Sequence, residues 1–410
     1  LKNTMAGNHF VASIDIGTEK IALLVAERED DDHLRIIGHN VCPSRGVRRG
    51  SIFSIDSLSR EISKLIKKTE ESFGIDLALF RVNISDTHLT CIDGKGKVPV
   101  NEFVSTEDLD AVLESAMAIS TPTNKEKLHI IKKKFTINET VVVDDPMDME
   151  AQVLESKVHI ITVSSSSVRN VENCLKQSEL EVDKIVLNSV AKSQALLSQE
   201  DKNSGVCLLD IGAGVTSYSV YREEGIIQSG IIAMGGDEVT QSIAYAFDTS
   251  LEEAKRLKEN YGVAKTLPQS DDKFIDFIQA NNKEERQLSS LDLSEVIEES
   301  YREIFEELKN ELKHRNLDTI IRSGFVLCGG GSEIGSIEEL VRDFFSKRVK
   351  LGKIQRSRIS GLEAILTDYR YTGSIGLLLH EGDLNKAKFI VSNGGKSVMG
   401  KLKKAFVGNF

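Results

Sequence analysis

The chain has 410 residues, 40% of them hydrophobic and 28% charged, with a formal net charge of −11. That length accommodates roughly three domains, and the composition is that of a globular chain with a sizeable core. The acidic balance argues against nucleic-acid binding through bulk positive charge. Cys42, Cys91, Cys174, Cys207 and Cys328 are dispersed and odd in number, with no Cys-x-x-Cys pair. They argue for a reducing compartment and against a zinc site or disulfide framework. The apolar runs at 21–26 and 375–379 are too short to span a membrane. The polar stretch 1–9 lacks a signal-peptide core, which gives a cytoplasmic expectation.

In chain order, residues 10–85 read β-β-β-α-β. Strands are predicted at 10–13, 20–26 and 35–41, with a turn at Gly17 and a hairpin turn at Asp30–Asp32. Leu58, Ile62, Leu65 and Ile66 are apolar at helical spacing within 55–72, and 78–84 alternates like a strand. Residues 86–160 change character: strands at 88–91, 130–137 and 158–163 surround a helix at 108–118 with Thr106 as its cap, a small β-α-β-β insertion. Helices follow at 165–179 and 191–198, around a short strand at 185–187. Further helices are predicted at 237–247, 251–260, 293–315 and 337–345, with a polar, loop-rich stretch at 265–290 and a strand at 324–328. Strands alternating with helices argue for an α/β fold.

Three glycine turns follow strands. The first contains Asp15, Gly17, Thr18 and Lys20; the second contains Asp210, Gly212, Ala213, Gly214 and Val215. In both, an apolar run ends in Asp-Ile-Gly. Glycine lets backbone N–H groups approach a phosphate, and a carboxylate at the bend suits a hydrated Mg²⁺. The third turn, Gly329, Gly330, Gly331 and Ser332, ends a strand and opens a helix, where bare N–H groups favour an anionic ligand. Any one such turn is commonly structural. Three in this order predict a cleft that clamps ATP with Mg²⁺, with Asp15 and Asp210 holding the metal through water.

The order and spacing of these turns resemble the actin/Hsp70/sugar-kinase superfamily, whose motifs are called phosphate-1, phosphate-2 and adenosine. Within it the chain is similar to the FtsA family of actin-like bacterial cell-division proteins, through 42–46 (Cys-Pro-Ser-Arg-Gly), 157–162, 243–247 and a basic tail. The resemblance covers nearly the whole chain. It implies a two-lobed actin-like fold with the inserted subdomain at 86–160. It also implies head-to-tail self-association and attachment to an anionic membrane surface at the cytoplasmic face of the inner membrane. Further implied partners are the C-terminal peptide of FtsZ, the tubulin-like division protein, near 237–322, and later division proteins. Lys258 is placed like the family's adenine-side lysine, whereas Lys255 stands where a glutamate is frequent. Ala213, Val215 and Ser217 replace the Gly, Thr and second Asp of the wider superfamily's phosphate-2 motif. The lost hydroxyl and carboxylate argue against rapid hydrolysis, which needs positioned charge and an oriented nucleophile. A small-molecule kinase would share the cleft but need a catalytic carboxylate, and a pilus-assembly relative would share the insertion.

Residues 396–410 carry four lysines and no acid. On a helix, Val398, Met399, Leu402, Ala405, Phe406 and Phe410 share an arc of about 140°, while Lys401, Lys403 and Lys404 lie at or beyond its edge. A segment of this kind behind the Ser-Asn-Gly-Gly of 384–395 reads as a membrane-surface helix on a flexible tether. The basic clusters at 48–49 and 132–134 read as solvated faces, and His88, His159 and His314 are isolated, without metal-ligand spacing. The expected organisation is thus a tail at 1–9, lobe 1 at 10–85 and 161–203, and the insertion at 86–160. Lobe 2 occupies 204–236 and 323–383 with a subdomain at 237–322, followed by the linker at 384–395 and the targeting helix at 396–410.

Overall fold

The strands Phe10–Ile16 and Lys20–Arg28 are apolar along almost their whole length because both faces of their sheet are covered. They pair antiparallel, Asp15 opposite Ala22, and Lys20–Arg28 pairs antiparallel with Leu34–Pro43. On the other side Phe10–Ile16 pairs in parallel with Leu79–Ile84, which pairs in parallel with Glu181–Leu187. The short strand Ile359–Ser360 completes this six-stranded sheet beside Leu34–Pro43. A computed structural model provides these coordinates and describes residues 10–29, 33–223, 225–266, 271–280 and 284–380. The turn at Asp30–Asp32, the linker at 384–395 and the tail residues from Val398 to Phe410 lie outside the described residues.

The same plan recurs in a five-stranded sheet. Val206–Ile211 pairs antiparallel with Thr216–Arg222, Asp210 opposite Ser217, and Gly225–Ile232 lies beyond. On its other side Val206–Ile211 pairs in parallel with Gly324–Cys328, which pairs in parallel with Val349–Leu351. Helices Asn188–Leu196 and Thr372–Leu379 pack against one another and are buried nearly all round, the polar Asn188, Ser189, Lys192 and Ser193 of the first included. Apart from Gly225–Ile227, both sheets belong to one compact unit, formed by residues up to Thr87, Ser167–Glu224 and Gln228–His380.

A second compact unit is centred on His88–Ser166. Its strands Thr90–Pro99, Val153–Ser164, Lys125–Ile137 and Val141–Val143 form an antiparallel sheet in that order. Helix Thr106–Met117 buries Val112, Leu113 and Ala116 in the unit's own core. The expected β-α-β-β insertion therefore has an additional strand. Its first strand was expected at 88–91 but runs to Pro99, because the Gly-Lys-Gly-Lys stretch reads as a loop in sequence. In the fold a side chain at Gly96 would meet the Val112 carbonyl, so glycine is what lets the helix lie against the strand.

Other corrections have local causes. The helix cap is Ser105, not Thr106: Ser105 Oγ accepts from Asp108 N at 3.2 Å and the Asp108 carboxylate accepts from Ser105 N at 2.9 Å, a capping box. The stretch expected to be loop-rich holds a hairpin, Phe274–Ile278 with Glu285–Ser289, whose inward residues Ile275, Phe277 and Leu288 are buried. The long helix begins at Ser290 because Ser289 Oγ accepts from Leu291 N and Asp292 N. Glu181–Leu187 extends the strand expected at 185–187, and the helix expected from 191 begins at Asn188. Ser105→Ala should lower the stability of the inserted unit by about 1 kcal/mol, against a much smaller change for Thr106→Ala; paired urea melts check the assignment.

Candidate functional site

The two Asp-Ile-Gly turns are built alike. Gly17 N donates to Lys20 O at 2.9 Å, and Gly212 N donates to Val215 O at 2.9 Å. Each turn follows a buried strand, so each aspartate is carried inward at a strand end, 7% exposed for Asp15 and 3% for Asp210. The third turn meets the second at Gly329, which has φ +87° and lies where any side chain would collide with the Asp210 carboxylate.

These turns enclose a cavity of about 730 Å³. Of the sequence-predicted residues, Asp15, Gly17, Thr18, Lys20, Asp210, Gly212, Ala213, Gly214, Val215, Gly329 and Gly330 line it. Lys258, Gly331 and Ser332 are not among the lining residues. Lys258 Nζ donates to Gly236 O and Thr240 Oγ1, each at 2.7 Å. Gly331 O accepts from Tyr301 OH at 2.8 Å, and Ser332 Oγ donates to Cys328 O at 2.7 Å.

A buried polar network joins the two aspartates. Asn83 Nδ2 donates to Asp15 Oδ1 at 2.5 Å and to Asn188 Oδ1 at 3.2 Å, while Asn83 Oδ1 accepts from Ile16 N at 2.6 Å. Asn188 Nδ2 donates to Asp210 Oδ2 at 2.9 Å, and Lys192 Nζ donates to Asp210 Oδ1 at 2.7 Å. Ser217 Oγ also donates to Asp210 Oδ2, at 3.2 Å. Burial raises the Asp15 carboxyl above its ordinary range, against the lowering pull of Lys192 and Lys20. Burial is the largest influence on Lys192 and opposes its charge, but Asp210, Cys328 and Asp15 together hold the ammonium above the usual lysine range. Lys20, which packs 4.3 Å from the Tyr369 ring centroid, is lowered to about 8 chiefly by burial.

Of the charged lining residues, Glu19, Lys255 and Glu259 are ion-paired. Arg49 pairs with Glu238 at 2.8 Å, and Lys255 pairs with Glu19 and, at 3.7 Å, with Glu259. Thr18 Oγ1 accepts from Gly50 N at 3.1 Å and so holds the 44–50 loop at the first turn. Sequence reasoning did not single out Asn83, Asn188 or Lys192. The available signal was a lone lysine in a short helix of mostly small residues, separated from the second device by helix Gln199–Ser204.

The lining fits a nucleotide better than it fits a metal held by both aspartates. Gly212, Gly214, Gly329 and Gly330 leave backbone open to a phosphate-rich ligand. Asp210, however, has both oxygens engaged by Lys192, Asn188 and Ser217. Among the described residues no cluster of three or more His, Cys, Asp or Glu side chains is arranged around a metal position. No helix of the described residues is long and apolar enough to cross a membrane.

Comparison with known proteins adds the family context. A family model described as cell division protein FtsA matches residues 207–376, and one described as the SHS2 domain inserted in FtsA matches residues 87–162. The cell division protein FtsA of Pseudomonas aeruginosa is 30% identical over 410 residues, covering 98% of each chain. Among solved structures, a PilM–PilN type IV pilus biogenesis complex gives a TM-score of 0.62 at 15% identity, covering 90% of this chain and 97% of that one. MreB5 of Spiroplasma citri bound to ADP gives 0.57 at 13% identity, covering 94% and 99%. These structural likenesses establish the actin-like fold.

Asn83→Ala removes the link between the aspartates and leaves Ile16 N and the Asp15 carboxylate short of a partner. It should destabilise the protein by about 3 kcal/mol or more, read as a lower urea midpoint at unchanged slope.

Proposed function

The chain belongs to the FtsA family of actin-like cell division proteins, and on that premise we propose that it binds ATP in the glycine-lined cavity and assembles head to tail into filaments at the membrane. There it tethers FtsZ filaments and recruits later division proteins. The observation that carries the nucleotide reading is the convergence of three glycine turns, from distant parts of the chain, on one cavity of about 730 Å³. That volume is within the range of small-molecule sites. The two turns and Lys20 take the phosphates, and the third turn lies on the nucleoside side. Mg²⁺ arriving with the nucleotide would screen phosphate charge, and Asp15 is the residue left to hold it through water.

Slow turnover follows from the second turn. Val215 is buried and apolar, and Ser217 hydrogen-bonds to Asp210 rather than offering a second carboxylate. The protein is then a nucleotide-binding scaffold, at most a weak ATPase. For the FtsZ peptide, the segment 237–322 is supported by its exposed apolar side chains, among them Tyr245, Leu251, Phe274 and Ile278. For the membrane, the support is the sequence of 396–410. A large apolar side chain contributes roughly 1.5–3 kcal/mol at full burial and a lysine about 1 kcal/mol near anionic lipid. Partial insertion and ordering reduce that sum, so one tail binds reversibly and a row of tails on a filament binds far better.

Calorimetry on the full chain should give one ATP per chain; folded protein that takes up neither ATP nor ADP overturns the reading. Affinity should fall as pH rises through about 8, because burial makes Lys20 lose its proton there and with it the attraction for phosphate. Lys20→Arg, which stays charged, should flatten that pH profile between 7 and 9. For the tail, the full chain should pellet with anionic liposomes and a chain ending at Asn393 should not. Equal pelleting removes the membrane assignment.

A further inference from the structure

We propose that Lys192 is a built-in counter-charge for the phosphates of the bound nucleotide, so that this chain binds ATP with little need of a divalent cation. The inference rests on the ATP reading of the cavity and assigns the charge balance within it. Lys192 lines the cavity beside Asn188 on a buried helix, with its Nζ 2.7 Å from Asp210 Oδ1. An ammonium has three donors; Asp210 takes one, and the position at the cavity wall offers the ammonium to a phosphate oxygen.

The formal charges make the case. The lining holds five acidic side chains, Asp15, Glu19, Asp210, Asp237 and Glu259, against four basic ones, Lys20, Lys192, Lys255 and Arg370. With Lys192 the lining carries one excess negative charge, and without it two. Without Lys192, Asp210 loses its paired ammonium, and a divalent cation is needed to reverse the repulsion of the phosphates. The same residue disfavours a metal bridging the aspartates. Such an ion would stand beside a fixed ammonium, and Asp210 already spends its oxygens on Lys192, Asn188 and Ser217. Asp15 is tied through Asn83 to the same network.

The test is ATP titration of the full chain by calorimetry, in EDTA and in MgCl₂. The expected result is an affinity in EDTA within about fivefold of that in MgCl₂, a difference of about 1 kcal/mol. Lys192→Gln should lose more than about tenfold in EDTA and recover in MgCl₂, while Lys192→Arg, which keeps the charge, should stay insensitive to the metal. Circular dichroism of each variant separates loss of fold from loss of binding, and the unsubstituted chain decides the matter if the glutamine variant does not fold. Binding by the unsubstituted chain that weakens more than about fivefold in EDTA overturns the inference and leaves the ATP reading standing. No binding in either buffer overturns both. Mn²⁺ titrated without nucleotide, followed by electron paramagnetic resonance, should show no site between the aspartates; a stoichiometric Mn²⁺ site also overturns the proposal.

Discussion

The buried chain of polar contacts from Asp15 through Asn83 and Asn188 to Asp210 and Lys192 is the constraint on which the site depends. Two carboxylates this well shielded from water are costly unless each finds a partner. Apart from Ser217 beside the second turn, their partners come from strand Leu79–Ile84 and helix Asn188–Leu196, neither of which belongs to the glycine turns. The turns are therefore located largely by residues outside themselves. Within a low-dielectric network each member matters beyond its own bond, because a half-satisfied network is worse than an apolar core.

Around that network the fold repeats one arrangement twice. In both sheets an apolar strand pairs antiparallel with its successor and in parallel with a later strand. In both, the aspartate ends up at the strand terminus where the glycine turn begins. Repetition explains why two segments so far apart in the chain present the same chemistry. The geometry then differs by neighbours: Lys20 follows the first turn, whereas the second turn has Lys192 from a preceding helix and Gly329 pressed against its aspartate.

The inserted unit follows separate rules. Its helix, cap and sheet close on a core of their own, and its strands Thr90–Pro99 and Lys125–Ile137 carry lysines and acids in place of the near-unbroken apolar runs of Phe10–Ile16 and Val206–Ile211. Membership of the FtsA family is carried by both parts, since family descriptions match the insertion and the second half of the actin-like unit separately.

The amino-acid order alone determined the alternation of strands and helices, the paired Asp-Ile-Gly turns, the location of the insertion and the amphipathic character of the last fifteen residues. These are local: periodicity, glycine at a bend and charge pattern act over a few neighbouring positions. It misplaced the Ser105 cap and overlooked the hairpin Phe274–Ile278 with Glu285–Ser289, where short alternation lies among polar residues. Tertiary structure alone decided that Asn83, Asn188 and Lys192 stand at the two aspartates, that Lys258 and Ser332 turn to backbone and hydroxyl partners, and that Lys255 meets Glu19. Such pairings join residues distant in the chain, and whether a charge is buried beside its opposite depends on how the layers pack, which no local pattern encodes.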